Sequence, residues 1–139
     1  MSKKVIFIDS VHPILKERLE KMGFQCDWMI DLKPTEIEEI IDNYEGAVIR
    51  SKFKFDAKML EKASQLKWIA RSGAGMENID LVAAKKLNIQ CFNSPEGNRD
   101  AVAEHCIGLL LSLFNHLSRG DQEVRQGLWL REKLSLIHI

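Results

Sequence analysis

The chain has 139 residues, 45% of them hydrophobic and 29% charged, the make-up of one globular domain or of one domain plus a piece of another. Lys+Arg and Asp+Glu both number 20, so the formal net charge is zero, and the sequence carries no basic excess to suit a nucleic acid or an anionic membrane. Cys26, Cys91 and Cys106 are odd in number, far apart and outside any C-x-x-C pair, which excludes a disulfide frame and a zinc site from the expectations; no metal is expected.

Met1-Ser2-Lys3-Lys4 lacks a signal-peptide pattern, so a reducing, cytoplasmic location is expected. Val5-Ile6-Phe7-Ile8 is a continuous apolar run closed by Asp9-Ser10, which predicts a strand buried on both faces. His12-Pro13 opens a helix with Ile14, Leu15, Leu19 and Met22 as its apolar stripe and Gly23 as its stop. Phe24 to Met29 alternates and reads as a more exposed strand. Pro34-Thr35 starts a second helix with Ile37, Ile40 and Ile41 facing inward, and Gly46-Ala47-Val48-Ile49 is the third strand, ending at Arg50-Ser51. Asp56 is expected to cap a short helix carrying Met59, Leu60 and Ala63. A fourth strand follows at Lys67 to Ala70, then a loop, a helix capped by Asp80, and a fifth strand at Ile89 to Phe92.

Strand and helix alternate five times across short connections, which is the pattern of a doubly wound α/β sheet with right-handed crossovers. Ligands of such sheets sit off the carboxyl ends of the strands. Asp9-Ser10, Arg50-Ser51, Ser72 to Gly75 and Asn93-Ser94 all fall there.

The most informative of these segments is Arg71-Ser72-Gly73-Ala74-Gly75-Met76-Glu77-Asn78-Ile79-Asp80. Four small residues, Ser72 to Gly75, leave backbone N–H groups uncovered, and amides near a helix N-terminus suit a carboxylate or phosphate. The competing reading is a tight turn with no ligand. Gly73-x-Gly75-x-x-Asn78 falls one glycine short of the dinucleotide fingerprint, and the next strand ends in Asn93 where that fingerprint needs an acid. The loop therefore reads as an anion cradle. Arg71 reads as an ion-pair partner of Glu77 or Asp80, and His12, His105 and His116 as helix-start or helix-packing residues.

Pro95-Glu96-Gly97-Asn98 is a turn-rich hinge, and Ala101 to Leu117 is the longest expected helix. It is apolar nearly all round except for a strip at Glu104, Gly108, Ser112 and Asn115, so it calls for a larger body or a partner to cover it. Interrupted by Glu104, His105 and His116, it is a poor membrane span.

Arg50-Ser51, Arg71-x-Gly73-x-Gly75-x-x-Asn78-Ile79-Asp80, Asn93-x-Pro95-x-Gly97-Asn98 and Ala103-Glu104-His105 occur in the order and spacing of the D-2-hydroxyacid dehydrogenase family, which the chain resembles from residue 3 to about 132. Within that family the likeness is strongest to the phosphoglycerate-oxidising branch. The resemblance implies a flavodoxin-like substrate domain at 1–97, the start of a Rossmann-type NAD-binding domain at 98–133, and a tail at 134–139 foreign to the family pattern. It implies that the Ser72, Gly73, Ala74 and Gly75 amides hold the substrate carboxylate, that Ala74 lies beside NAD, that Arg50 and Ser51 face a phosphate end, and that Asn98 is a further substrate-side residue. It also implies a homo-oligomer, here expected through the 101–117 helix. The family's cofactor fingerprint and catalytic Arg, Glu and His have no counterpart in these residues, so the chain alone is expected to be inactive. Glyoxylate, hydroxypyruvate or phosphoerythronate are alternative substrates. A stand-alone small-anion sensor is the alternative class; a phosphorylated receiver is disfavoured because the third strand ends in Arg50-Ser51 rather than Asp.

Overall fold

The structure is a computed structural model that describes residues 3–134. The tail expected at 134–139 lies outside the described residues except for Leu134. The chain divides into two compact units, Met1–Gly97 and Asn98–Ile139.

The first unit alternates β1 (Lys3–Phe7), α1 (Ile14–Lys21), β2 (Phe24–Trp28), α2 (Pro34–Ile40), β3 (Gly46–Ile49), α3 (Ala57–Lys62), β4 (Trp68–Arg71), α4 (Leu81–Lys86) and β5 (Gln90–Phe92). The strands form one parallel sheet in the order β2-β1-β3-β4-β5. That is the flavodoxin-like order, in which the chain winds to one side of β1 and then crosses to the other. Because a strand's side chains alternate between faces, the continuous run of β1 serves two cores. Ile6 and Ile8 join Ile37, Ile41, Ile49, Phe55, Leu60 and Ile69 on one face, while Val5 and Phe7 join Val48 on the other. Phe7 stacks on Trp28 at 5.0 Å between ring centroids. Trp68 lies beside Gly46 in the β3–β4 register, and its indole occupies the space a side chain at 46 would need.

The helix ends follow from single residues. Pro34 sits at the start of α2, where its missing N–H costs nothing, and the Lys33 N–H donates to Glu36 at 2.7 Å. The Asp56 carboxylate accepts from the Met59 N–H, and Asp80 accepts from Val82 and Ala83. Gly23 (φ +86°) and Asn88 (φ +58°) take the left-handed conformation just past α1 and α4.

Two expectations need correction. The predicted stripe of α1 is half right: Leu15 and Leu19 pack beneath the sheet, but Ile14 and Met22 are exposed. The helix stops at Lys21, so Met22 is already its cap and turns outward. The predicted single helix from Ala101 to Leu117 is two helices, α5 (Arg99–Phe114) and α6 (Leu117–Arg125). Asn115 ends α5 by turning its side-chain amide back onto the Leu111 carbonyl at 2.8 Å, and His116 adopts φ +51°. His116 is therefore a helix-breaking residue, not a helix-packing one.

The second unit contains α5, α6 and a 3-10 turn at Arg131–Leu134. No residue of α5 or α6 is buried. Ion pairs Arg119–Glu123 and Arg125–Asp121, each at 2.8 Å, brace the polar face of α6. Among the described residues no helix is long and apolar enough to cross a membrane.

Candidate functional site

The strands of the first unit all run the same way, so the segments that follow β1, β3, β4 and β5 share one edge of the sheet. The centre of that edge is the Arg50 peptide. Its N–H donates to the Asp9 carboxylate at 2.6 Å, and the Lys52 N–H reaches the same oxygen at 3.2 Å. Its carbonyl accepts from Arg71 Nε and from Asn78 Nδ2, both at 3.1 Å. Asn78 Nδ2 also donates to the Phe53 carbonyl at 3.2 Å. One buried carboxamide thus ties the segment after β3 to the segment after β4.

The small-residue loop is held from both sides. Ser72 N–H donates to the Ile49 carbonyl at 2.8 Å and Gly73 N–H to the Arg71 carbonyl at 2.9 Å. From the β5 side, Ser94 N–H donates to the Gly73 carbonyl at 2.9 Å and Asn93 Nδ2 to the Ala74 carbonyl at 2.6 Å. Among the described residues no acceptor meets the N–H of Ala74 or Gly75. Two of the four amides expected in an anion cradle are therefore consumed inside the fold, and two remain open. The expected help from a helix N-terminus does not materialise. Helix α4 begins only at Leu81, and the Asp80 carboxylate already occupies its first amides.

The predicted site residues distribute as follows. Arg50 and Ser51 are exposed, and Ser72, Gly73, Ala74 and Gly75 are half-buried at the same sheet edge. Asn98 belongs to the second unit, where it precedes α5, and its carbonyl accepts from the Val102 N–H at 2.9 Å. Arg71 forms the expected pair with Glu77, at 3.9 Å, but its side chain is only 14% exposed and its Nε is committed to Arg50. The Arg71 guanidinium is thereby fixed against the Arg50 backbone, while the Arg50 side chain is exposed. Sequence reasoning missed Asn78 and Asn93 as tethers and Arg71 as part of the edge. The β3–β4 register explains the placement: Arg71 is a strand residue paired with Ile49, and Ile49 directly precedes Arg50.

Burial pushes the Cys91 thiol on β5 above its ordinary value, which disfavours its thiolate. Among the described residues no group of three or more His, Cys, Asp or Glu side chains could hold a metal ion. Nor do the residues of this loop form a dinucleotide pyrophosphate cradle. Gly73 turns its amide into the Arg71 carbonyl, and the buried Asn78 fills the place of a third glycine.

A family model described as the catalytic domain of D-isomer specific 2-hydroxyacid dehydrogenases matches residues 5–130. The chain is 35% identical over 130 residues to D-3-phosphoglycerate dehydrogenase from Synechocystis, covering 94% of this chain and 23% of that protein. Among solved structures, the PH0520 protein from Pyrococcus horikoshii superimposes with a TM-score of 0.84 at 28% identity, over 94% of this chain and 39% of that one. The NAD+-bound 3-phosphoglycerate dehydrogenase of Entamoeba histolytica gives a TM-score of 0.65 at 32% identity, over 83% of this chain and 40% of that one. The chain thus spans about a quarter of the Synechocystis protein's length, at 23%. By sequence, by strand order and by the match across residues 5–130, the chain belongs to the D-isomer specific 2-hydroxyacid dehydrogenases.

Proposed function

We propose that this chain is the substrate-binding portion of an NAD-dependent D-2-hydroxyacid dehydrogenase of the phosphoglycerate type, which in its complete form oxidises 3-phosphoglycerate to 3-phosphohydroxypyruvate for serine biosynthesis in the cytoplasm. The observation that carries the reading is the sheet edge itself. Arg71 donates its Nε to the Arg50 carbonyl, and the open amides of Ala74 and Gly75 lie in the loop that Ser72 fastens to Ile49. Guanidinium groups pair with phosphate bidentately, whereas backbone amides suit a carboxylate. The two ends of a phosphorylated hydroxy acid are matched by these two kinds of donor.

In this reading Arg50 and Ser51 receive the phosphate end, the Ser72 to Gly75 loop orients the carboxylate end through the open amides of Ala74 and Gly75, and Asn98 adds a substrate-side contact in the complete enzyme. Ala74 is the residue proposed to lie beside NAD, which supplies the hydride acceptor when bound. The loop offers the pyrophosphate no cradle, so this chain's own contribution is binding and orientation. The apolar helix α5 is proposed as the surface through which copies of the complete enzyme associate.

The test uses the purified 139-residue chain. It is expected to bind 3-phosphoglycerate weakly and to produce no NADH, read by absorbance; measurable turnover would sink the claim that catalysis lies elsewhere. Arg50→Ala should weaken 3-phosphoglycerate by tenfold or more, since a hydrogen bond to a charged group is worth about 1.5–3 kcal/mol. Glycerate should be affected less. Equal losses for both ligands would refute the phosphate role.

A stand-alone small-anion sensor is the second reading, favoured by the closed core of the first unit. Tight, saturable phosphate binding by a stable monomer would bring it forward.

A further inference from the structure

The glycines of the loop have a second use, which concerns side chains rather than amides. A Cβ at Gly73 would overlap the Arg71 guanidinium, and a Cβ at Gly75 would overlap the Glu77 carboxylate. Arg71 therefore folds forward over Gly73, Glu77 folds back over Gly75, and the two charged groups approach across the loop to 3.9 Å. Gly73 has φ +150°, so an L side chain there would be strained as well as crowded. The absent side chains at 73 and 75 make room for an ion pair lying along the loop that carries the open amides.

The partners are unequal. Arg71 is 14% exposed and Glu77 is 76% exposed. A guanidinium carries five N–H donors in a fixed fork. Among the described residues, Arg71 places Nε on the Arg50 carbonyl and otherwise meets only Glu77, at an ion-pair distance too long for a hydrogen bond. Arg71 is thus a tethered cation with unspent donors, and Glu77 is a loosely paired, solvent-exposed anion.

We propose that Glu77 is a resident counter-ion, which an incoming anionic ligand displaces from Arg71 on entering the loop. The inference rests on the anion-binding reading of this edge. Its chemistry is an exchange of one anion for another on a fixed guanidinium. Phosphate can engage the fork bidentately where Glu77 does not, so the exchange runs toward the ligand. Glu77 swings outward into solvent with its carboxylate fully hydrated. The cost is small because the pair is long, at 3.9 Å, and its carboxylate already lies mostly in solvent. The residue thereby raises the ligand concentration needed to fill the site and keeps Arg71 neutralised until then.

The experiment titrates inorganic phosphate into the isotopically labelled full chain. It follows by NMR the Arg71 Nε–H, the Ala74 and Gly75 amides, and the Glu77 side-chain carboxyl carbon. In the wild-type chain the Glu77 carbon is expected to move with the same midpoint as Arg71 Nε. Glu77→Gln is expected to tighten phosphate by up to about fivefold, the worth of an exposed ion pair. Glu61→Gln, which removes the same charge from α3, is expected to leave the midpoint unchanged.

A silent Glu77 carbon beside a responding Arg71 would overturn the displacement while leaving the anion site standing. Equal tightening by Glu77→Gln and Glu61→Gln would also overturn it, since the effect would then be a general field. No response of Arg71, Ala74 or Gly75 in either chain at saturating phosphate would remove the anion site and the counter-ion together.

Discussion

The two units place their apolar residues in opposite ways. In the first, Phe7, Ile6, Ile8, Phe55 and Ile69 are completely enclosed, and both faces of the sheet are covered. In the second, Leu109, Leu111, Leu113 and Phe114 stand exposed, with Leu113 at 72%. The difference is geometric. A parallel sheet flanked by helices gives every strand two sheltered faces, whereas a short pair of helices has no means to enclose one that is apolar all round. The first unit encloses its own apolar residues, and the second leaves its apolar residues exposed.

The largest test of that contrast pairs two phenylalanines. Phe55→Ala should cost about 3–5 kcal/mol in urea unfolding, because it leaves a cavity in a closed core. Phe114→Ala, at a side chain 58% exposed, should cost no more than about 0.5 kcal/mol and should reduce concentration-dependent self-association in sedimentation. Similar unfolding costs at the two positions would break the comparison, as would a wild-type chain that stays monomeric at high concentration.

The next effect reports on the first unit alone. Burial, and then the hydrogen bond donated by its hydroxyl to Asp27 at 2.9 Å, push Tyr44 from an ordinary value near 10 up to about 12. The folded chain therefore holds this proton more tightly than the unfolded chain. The associated stability is complete below about pH 10 and is lost as pH rises toward 12, at a slope of at most about 1.4 kcal/mol per pH unit. Tyr44→Phe should remove that slope from denaturant midpoints measured across the window. An unchanged slope would show that Tyr44 is not its source.

Smaller effects lie at the helix ends. Asp80→Ala should cost about 1 kcal/mol by leaving the first amides of α4 without their carboxylate. His116→Gly should instead stabilise the α5–α6 junction by up to about 1 kcal/mol, since glycine takes φ +51° without a steric penalty. Helicity and thermal midpoint would show both. Destabilisation by the glycine would mean that the imidazole contributes contacts beyond setting the turn.

What could be read in advance was local. The runs at Val5 to Ile8 and Gly46 to Ile49, the stop at Gly23 and the caps at Asp56 and Asp80 each depend on a few neighbouring residues, and each stands where expected. The break at His116 escaped because a left-handed residue after a helix is usually glycine or asparagine, and histidine gives no such warning. The site was legible as a place more than as an arrangement. Ser72 to Gly75 could be put at the strand ends, but the loss of the Ser72 amide to Ile49 and the tethers from Asn78 and Asn93 depend on segments far apart in sequence, and the Gly73 amide turns onto Arg71 only in the folded loop. The role of Gly73 and Gly75 was hidden for a different reason, since their neighbours Arg71 and Glu77 are close in sequence and only their side-chain directions decide it. A missing side chain reveals its purpose only when the atoms filling its space are known.

Gly46 and Trp68 extend that lesson to the scaffold. The indole fills the space beside the glycine across the β3–β4 pair and meets Phe24 edge-on at 6.2 Å. Neither position can drift alone: a methyl group at 46 must evict the ring, and a small residue at 68 leaves a void beside a bare backbone. The two sites are coupled, because a side chain at 46 and the Trp68 ring compete for the same space. For anyone building variants of this sheet, they are a single choice to be made together.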